Sequence, residues 1–242
     1  GSKLAETNDT FYVVTLSDGS YEWFVIASDG FAESRSDSCN FTIDSTPPQV
    51  VSFNLMPHLV INGSNVTIRV NASDEHLDKI LLEVNSTSTN SSYLLTNGEP
   101  YNYTVESPGD YNVTIRINDT FGNEVLVNDS FKGRLPAKVN FSASSFNQSI
   151  ELNLTLLHGD EIIAKRSFNE SSLLTIPSEI YNLTGNAFNS TLSFILETVN
   201  LSSDRNISIT LDKLSNHDDF LLVYALKVQA NFSQATLNLS YA

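Results

Sequence analysis

Asparagine followed two residues later by serine or threonine is the acceptor triplet for an N-linked sugar. By direct count, 21 of the 26 asparagines stand in such a triplet. At this chain's Ser and Thr content, chance gives only about five or six. Asn65, Asn71, Asn85, Asn112, Asn118, Asn153, Asn206, Asn231 and Asn238 are the candidate glycosylation sites. Asn65, Asn112, Asn153, Asn206 and Asn238 take the outward positions of alternating strand patterns, and the loop "NSTSTNSS" at 85–92 holds two triplets. Outward polar alternation alone would enrich the pattern. Asn is a poor strand former, however, and Lys, Glu, Gln or Thr would serve an outward face better. A sugar coat would shield strand edges from proteases and from edge-to-edge pairing.

Other chemistry has thinner support. His58, His76, His158 and His217 are far apart in sequence, without a paired metal-ligand spacing. There is no Gly-x-Ser-x-Gly elbow, phosphate-cradling Gly loop or dinucleotide fingerprint. Asp74-Glu75 and Asp218-Asp219 are adjacent carboxylates, which on a strand face opposite ways. No cofactor is expected; calcium at module junctions would fall to Asp29, Asp44 and Asp119, whose simpler reading is turn capping. Tyr93, Tyr101 and Tyr103 could stack on sugar rings if coplanar and exposed, but strand tyrosines more simply pack in a core. Cys39, the single cysteine, excludes an intrachain disulfide and reads as a small buried hydrophobe.

Composition narrows the partners. With 28 acidic against 13 basic residues, the net charge of -15 reflects scarce cations. That argues against nucleic acid and anionic membrane, which require basic patches. The longest apolar run, Phe220 to Leu226, is too short to span a bilayer, so no direct membrane insertion is expected. Gly1-Ser2 reads as a cloning remnant, and the chain as an excised piece of something longer.

The elements that must position these residues are strands. Tyr111, Val113, Ile115 and Ile117 alternate with Asn112, Thr114, Arg116 and Asn118, and similar ladders run through 66–70, 150–156, 207–211 and 237–241. "GSYEWFVIASDGF" at 19–31 aligns with "GDYNVTIRINDTF" at 109–121, an offset of 90 residues. That is close to the about 100 of one immunoglobulin-like sandwich. Tyr21 and Tyr111 sit where a tyrosine corner bonds back to the preceding loop, and Asp29 and Asp119 cap the following turn. "TIDSTPPQV" and "KGRLPAKV" mark boundaries. The expected fold is all-β: tandem antiparallel immunoglobulin-like sandwiches. Residues 1–48 hold the C-terminal half of one plus a Pro-Pro linker, 49–133 a complete one, and 134–242 a second, distinct sandwich.

"LSDGSYEWFVIASD" and "NFTIDSTPPQV", followed by "GSNVTIRVNASDEHLDKILLEV" and "SPGDYNVTIRINDTFGNE", resemble the tandem immunoglobulin-like modules of prokaryotic, especially archaeal, cell-surface glycoproteins over residues 11–131. The resemblance implies a non-catalytic, glycosylated extracellular module at the cell surface: a stalk, an adhesion element or a lattice or filament component. The alternative is a carbohydrate-binding accessory region of a secreted enzyme.

The front half raises a partner question. Against the intact repeat, Phe24 and Ile26 replace polar Thr114 and Arg116, while Tyr21, Trp23 and Val25 lack a facing sheet. Phe24 and Ile26 are therefore the expected interface. Strands from another chain, or self-association by domain swapping, are expected to complete residues 1–46.

Overall fold

The computed structural model describes residues 6–7, 9, 11–145, 150–187, 192–214, 223–229 and 234–239, with side chains as far as Leu211. Every regular element among them is a strand.

The front segment contributes β1 (Gly19–Trp23), β2 (Ile26–Ser28), β3 (Glu33–Arg35) and β4 (Cys39–Ile43). Eight strands follow: β5 (Gln49–Met56), β6 (Leu59–Ile61), β7 (Asn65–Ser73), β8 (Leu77–Asn85), β9 (Asn90–Leu95), β10 (Tyr101–Thr104), β11 (Gly109–Asp119) and β12 (Glu124–Arg134). They form a β10-β7-β5 sheet facing a β6-β12-β11-β8-β9 sheet. Between them lies a core of Val66, Ile68, Val70, Leu82, Val113, Ile115 and Ile117. Burial alternates strictly along β7 and β11, as the period-two pattern requires. The short β6 pairs parallel to β12, and all other pairs in this module are antiparallel.

The third group comprises β13 (Pro136–Ser144), β14 (Leu152–His158), β15 (Glu161–Phe168), β16 (Ser171–Pro177), β17 (Ile180–Ala187), β18 (Leu192–Asn200), β19 (Arg205–Leu214), β20 (Val223–Gln229) and β21 (Gln234–Leu239). Its sheets run β16-β13-β19-β20 and β15-β14-β17-β18-β21, with β13 parallel to β19. The expected ladders at 150–156 and 207–211 point into its core. The side chains at 237–241, and His217, lie outside the described residues.

Tyrosine corners recur three times. Tyr21 donates its hydroxyl to Ser17 O and Tyr111 to Ser107 O, each at 2.7 Å, and Tyr181 bonds to Pro177 O. Each acceptor lies four residues upstream, so the turn into the strand is closed the same way in all three.

The front segment reproduces the end of the intact sandwich. Tyr21 pairs with Phe41 as Tyr111 pairs with Phe131, the same register displaced by 90 residues. Both pairs stack, but Tyr111 and Phe131 are 1 % exposed while Phe41 is 39 % exposed. The ladder expected to run on through Phe24 and Ile26 stops at Trp23. Between Trp23↔Cys39 and Ile26↔Arg35 the partner strand gains one residue, a bulge at Ser36 whose hydroxyl accepts Val25 N–H. Cys39 is exposed, not buried, because among the described residues no second sheet faces β4.

Candidate functional site

The acceptor asparagines stand on the outer faces of the sandwiches, and none whose side chain is described is buried. The alternation that sends Val66 and Ile68 inward sends Asn65 and Thr67 outward, so strand and triplet share one period. Strand pairing then sets triplet against triplet. Asn65 lies opposite Thr104 and Thr67 opposite Asn102; each threonine donates to the facing Asn Oδ1 at 2.8 Å. Asn112 and Thr114 face Ser130 and Asn128 in the same reciprocal way, with Thr114 donating to Asn128 Oδ1 at 2.9 Å. In the third module the parallel pair brings Asn140 beside Asn206 and Ser142 beside Ser208. These bonds use the amide oxygen and not Nδ2, the atom to which an N-linked sugar attaches.

The candidates are not equivalent. Asn65, Asn71, Asn112, Asn153 and Asn206 are exposed, while Asn85 and Asn118 are half-buried. Asn118 Nδ2 donates to Glu124 Oε2 at 3.2 Å, inside a cluster where Arg116 binds both Glu124 oxygens at 2.7 Å. Asn153 Nδ2 donates to Asn186 Oδ1 at 3.2 Å. Asn90, Asn85 and Asn112 form a row across β9, β8 and β11. Asn231 and the Asn238 side chain lie outside the described residues. The cross-strand pairing was missed in the sequence; the matching triplets of facing strands were the signal available for it.

Asp29, Asp44 and Asp119 do not converge. Asp29 Oδ1 accepts the Ala32 and Phe31 amides, which hold its carboxyl below the usual range. Burial pushes the Asp119 carboxyl up, but the Asn123 side chain and the Asn123 and Phe121 amides outweigh it and hold it low. Both are turn caps. Asp44 instead meets His76 Nδ1 at 2.8 Å, and Asp74 accepts the His76 amide, so these three form the one cluster of metal-ligating side chains among the described residues. Phe121 packs edge-on against His76, and Asn123 donates to Asp44 O, tying the front segment to the intact sandwich. The residue one repeat later, Arg134, binds Glu179 at 2.9 Å and ties the intact sandwich to the third module. His58 adds a second tie, its amide donating to Glu161. A cleft of about 580 Å³ opens there, with Pro57, Leu59 and Leu173 beside Glu161, Lys165 and Arg166.

The tyrosine cluster is core. Tyr103 is buried against Tyr111 and Phe131, and Tyr93 and Tyr101 are half-buried with planes 37° apart. Burial, then the neighbouring phenols and Glu106, pushes the Tyr103 hydroxyl up to about 12. No helix of the described residues is long and apolar enough to cross a membrane.

No family model and no curated protein matches this sequence. Its likeness is to solved β-sandwich structures. One is of carbohydrate-binding modules of the β-sandwich superfamily, at 12 % identity and a TM-score of 0.33 over 63 % of this chain. The match takes in 59 % of the length of that structure. Another is of fibronectin(III)-like modules of Clostridium thermocellum CbhA, at 12 % identity and 0.29, covering 58 % of this chain and 85 % of that one. A Bacteroides ovatus glucan-utilisation protein, SGBP-B, in complex with a mixed-linkage heptasaccharide, gives 16 % and 0.18 over 83 % of this chain and 65 % of its own. At these values the likenesses carry no further argument.

Proposed function

We propose that this chain is a non-catalytic, N-glycosylated extracellular module, a stalk, adhesion or lattice component of a cell surface. The observation that carries the reading is the placement of the acceptor triplets. They stand on outer faces, and in the reciprocal pairs the cross-strand bonds take the amide oxygens and not the amide nitrogens. Cross-strand pairing gives Asn-x-Thr a structural use as well, since side-chain bonds across a ladder add stability. That use needs facing strand pairs; it does not account for the triplets at Asn62 and Asn169, which stand in turns. The reading calls for no cofactor.

Glycopeptide mass spectrometry on protein from its own cell tests it. Sugars are expected at Asn65, Asn71 and Asn112, with lower occupancy at Asn118, whose Nδ2 is engaged by Glu124. Unmodified peptides at all four positions would sink the proposal. A carbohydrate-binding role would need a flat exposed aromatic platform, which the tilted, half-buried Tyr93 and Tyr101 do not provide.

A further inference from the structure

The intact sandwich is a template for what the front segment lacks. Displaced by 90 residues, β1 is β11 and β4 is β12, with matching pairs, matching Tyr–Phe stacks and matching corner bonds. The correspondence extends upstream. Residues 11–15, "FYVVT", fall on 101–105, "YNYTV", which hold β10, and Val13 and Thr15 take the places of Tyr103 and Val105. In the intact copy those two are buried; here Val13 is 79 % exposed and its segment is not paired as a strand.

Two consecutive strands do the covering in the template. β7 pairs with β10, and β8 pairs with the edge of β11 that β12 leaves free. One arch, residues 65–85, thus supplies a strand to each sheet and the apolar faces between them: Val66, Ile68 and Val70 on one arm, Ile80, Leu82 and Val84 on the other. In the front segment neither position is filled. Among the described residues the segment 11–14 has no ladder partner and the corresponding edge of β1 is open, and Trp23, Val25 and Phe41 are exposed.

We propose that the front segment is an acceptor for a β-arch: two strands with inward apolar alternation, joined by a short turn, one pairing antiparallel with residues 11–14 and the other with β1. The donor is a strand pair other than those described in this chain, each of which already belongs to a sheet of its own. A second copy is a poor source, because β5–β19 are all paired within their own sheets and giving up β7–β8 would open the donor's own core. The surface is thus completed by strand addition to two sheets at once, where main-chain bonds give affinity and the alternate side chains give selectivity. This inference does not depend on the glycan reading.

Trp23 is the only tryptophan, so its emission reports on this segment alone. The full chain is titrated with a synthetic peptide of residues 65–85, and amide exchange is followed at 11–14 and 19–23. Saturable blue-shifted emission is expected, with exchange at both segments slowed about hundredfold at a peptide concentration a hundred times Kd. A peptide carrying V66S, I68S, I80S and L82S is expected to do neither, and Val13→Asp in the chain is expected to abolish the response while the melting of the intact sandwich is unchanged. No saturable response to the unsubstituted peptide overturns the proposal. So does full protection of both segments in the monomeric chain without peptide. Concentration-dependent protection accompanied by a dimer in light scattering assigns the face to a second copy and overturns the stated donor.

Discussion

A single hydroxyl closes each of the three modules at the same place. Tyr111 and Tyr181 are buried, so a phenol there must find an acceptor or lose its hydration without return. For Tyr181 the acceptor is Pro177 O, and burial, followed by the charge of Glu179, raises its pKa. Replacing Tyr181 with Phe keeps the ring and removes the bond. It is expected to destabilise the third module by about 1–2 kcal/mol, read as a lower denaturation midpoint at unchanged slope. The corners at Tyr21 and Tyr111 were legible because Gly stands two residues before each and Asp eight residues after. Tyr181 has Glu179 in place of the glycine, and its sequence offers only the upstream proline as a turn signal. Cys39 misled for a related reason: residue type indicates a preference for burial, and burial requires a second sheet that β4 does not have.

At the scale of elements, period-two alternation made the strands readable, because one buried face fixes the register of a whole strand. The register failed only where the pattern itself is broken. Beyond Trp23 the run Phe24-Val25-Ile26 is apolar on both faces, so alternation cannot specify which way it turns, and the bulge at Ser36 decides. Phe24 accordingly lies beneath Arg35, its ring centroid 3.7 Å from the guanidinium carbon, and is only partly the bare surface expected of it. The parallel pairing of β13 with β19 was not legible either, since the two strands are some sixty residues apart and each would alternate identically in an antiparallel ladder. Close packing within a ladder gives a further test. Gly185 on β17 faces Phe194 on β18, whose ring lies across the space a Cβ would fill. Gly185→Ala is expected to cost about 1–3 kcal/mol by displacing that buried ring, measured as a fall in melting temperature.

Across the whole molecule the modules are joined by polar ties at equivalent positions. Asp44 follows β4 and Arg134 ends β12, and each reaches a side chain of the next module, although their charges are opposite. Burial raises the Glu179 carboxyl, but hydrogen bonds from Arg134 and the Ile180 amide, with the charges of Arg134 and Lys132, more than offset it and hold it below the usual range. A carboxylate depressed in the folded state contributes stability above its unfolded pKa and loses it as pH falls through the folded value. The contact is therefore expected to be intact near neutrality and to weaken below about pH 4. Melting of the chain and of Glu179→Gln, followed against pH, checks this: the variant should melt lower at neutral pH, and the gap should close in acid. An unchanged gap would show that the pair adds nothing through its charge.

The parallel pairing of β6 with β12 also bears on load. The chain enters the intact sandwich through β5 and β6 and leaves it through β12, so a pull on its two ends draws these strands in opposite directions along their own length. His58 O with the Lys132 amide, at 2.8 Å, and Arg134 O with the Asn62 amide, at 2.9 Å, bracket the contact. Drawn this way the bonds are strained together, in shear, whereas strands peeled apart from one end break them in turn. On the same strand Leu59 enters the core of the third module and Val60 that of the second. Tension along the chain is thereby shared between two cores before either begins to open.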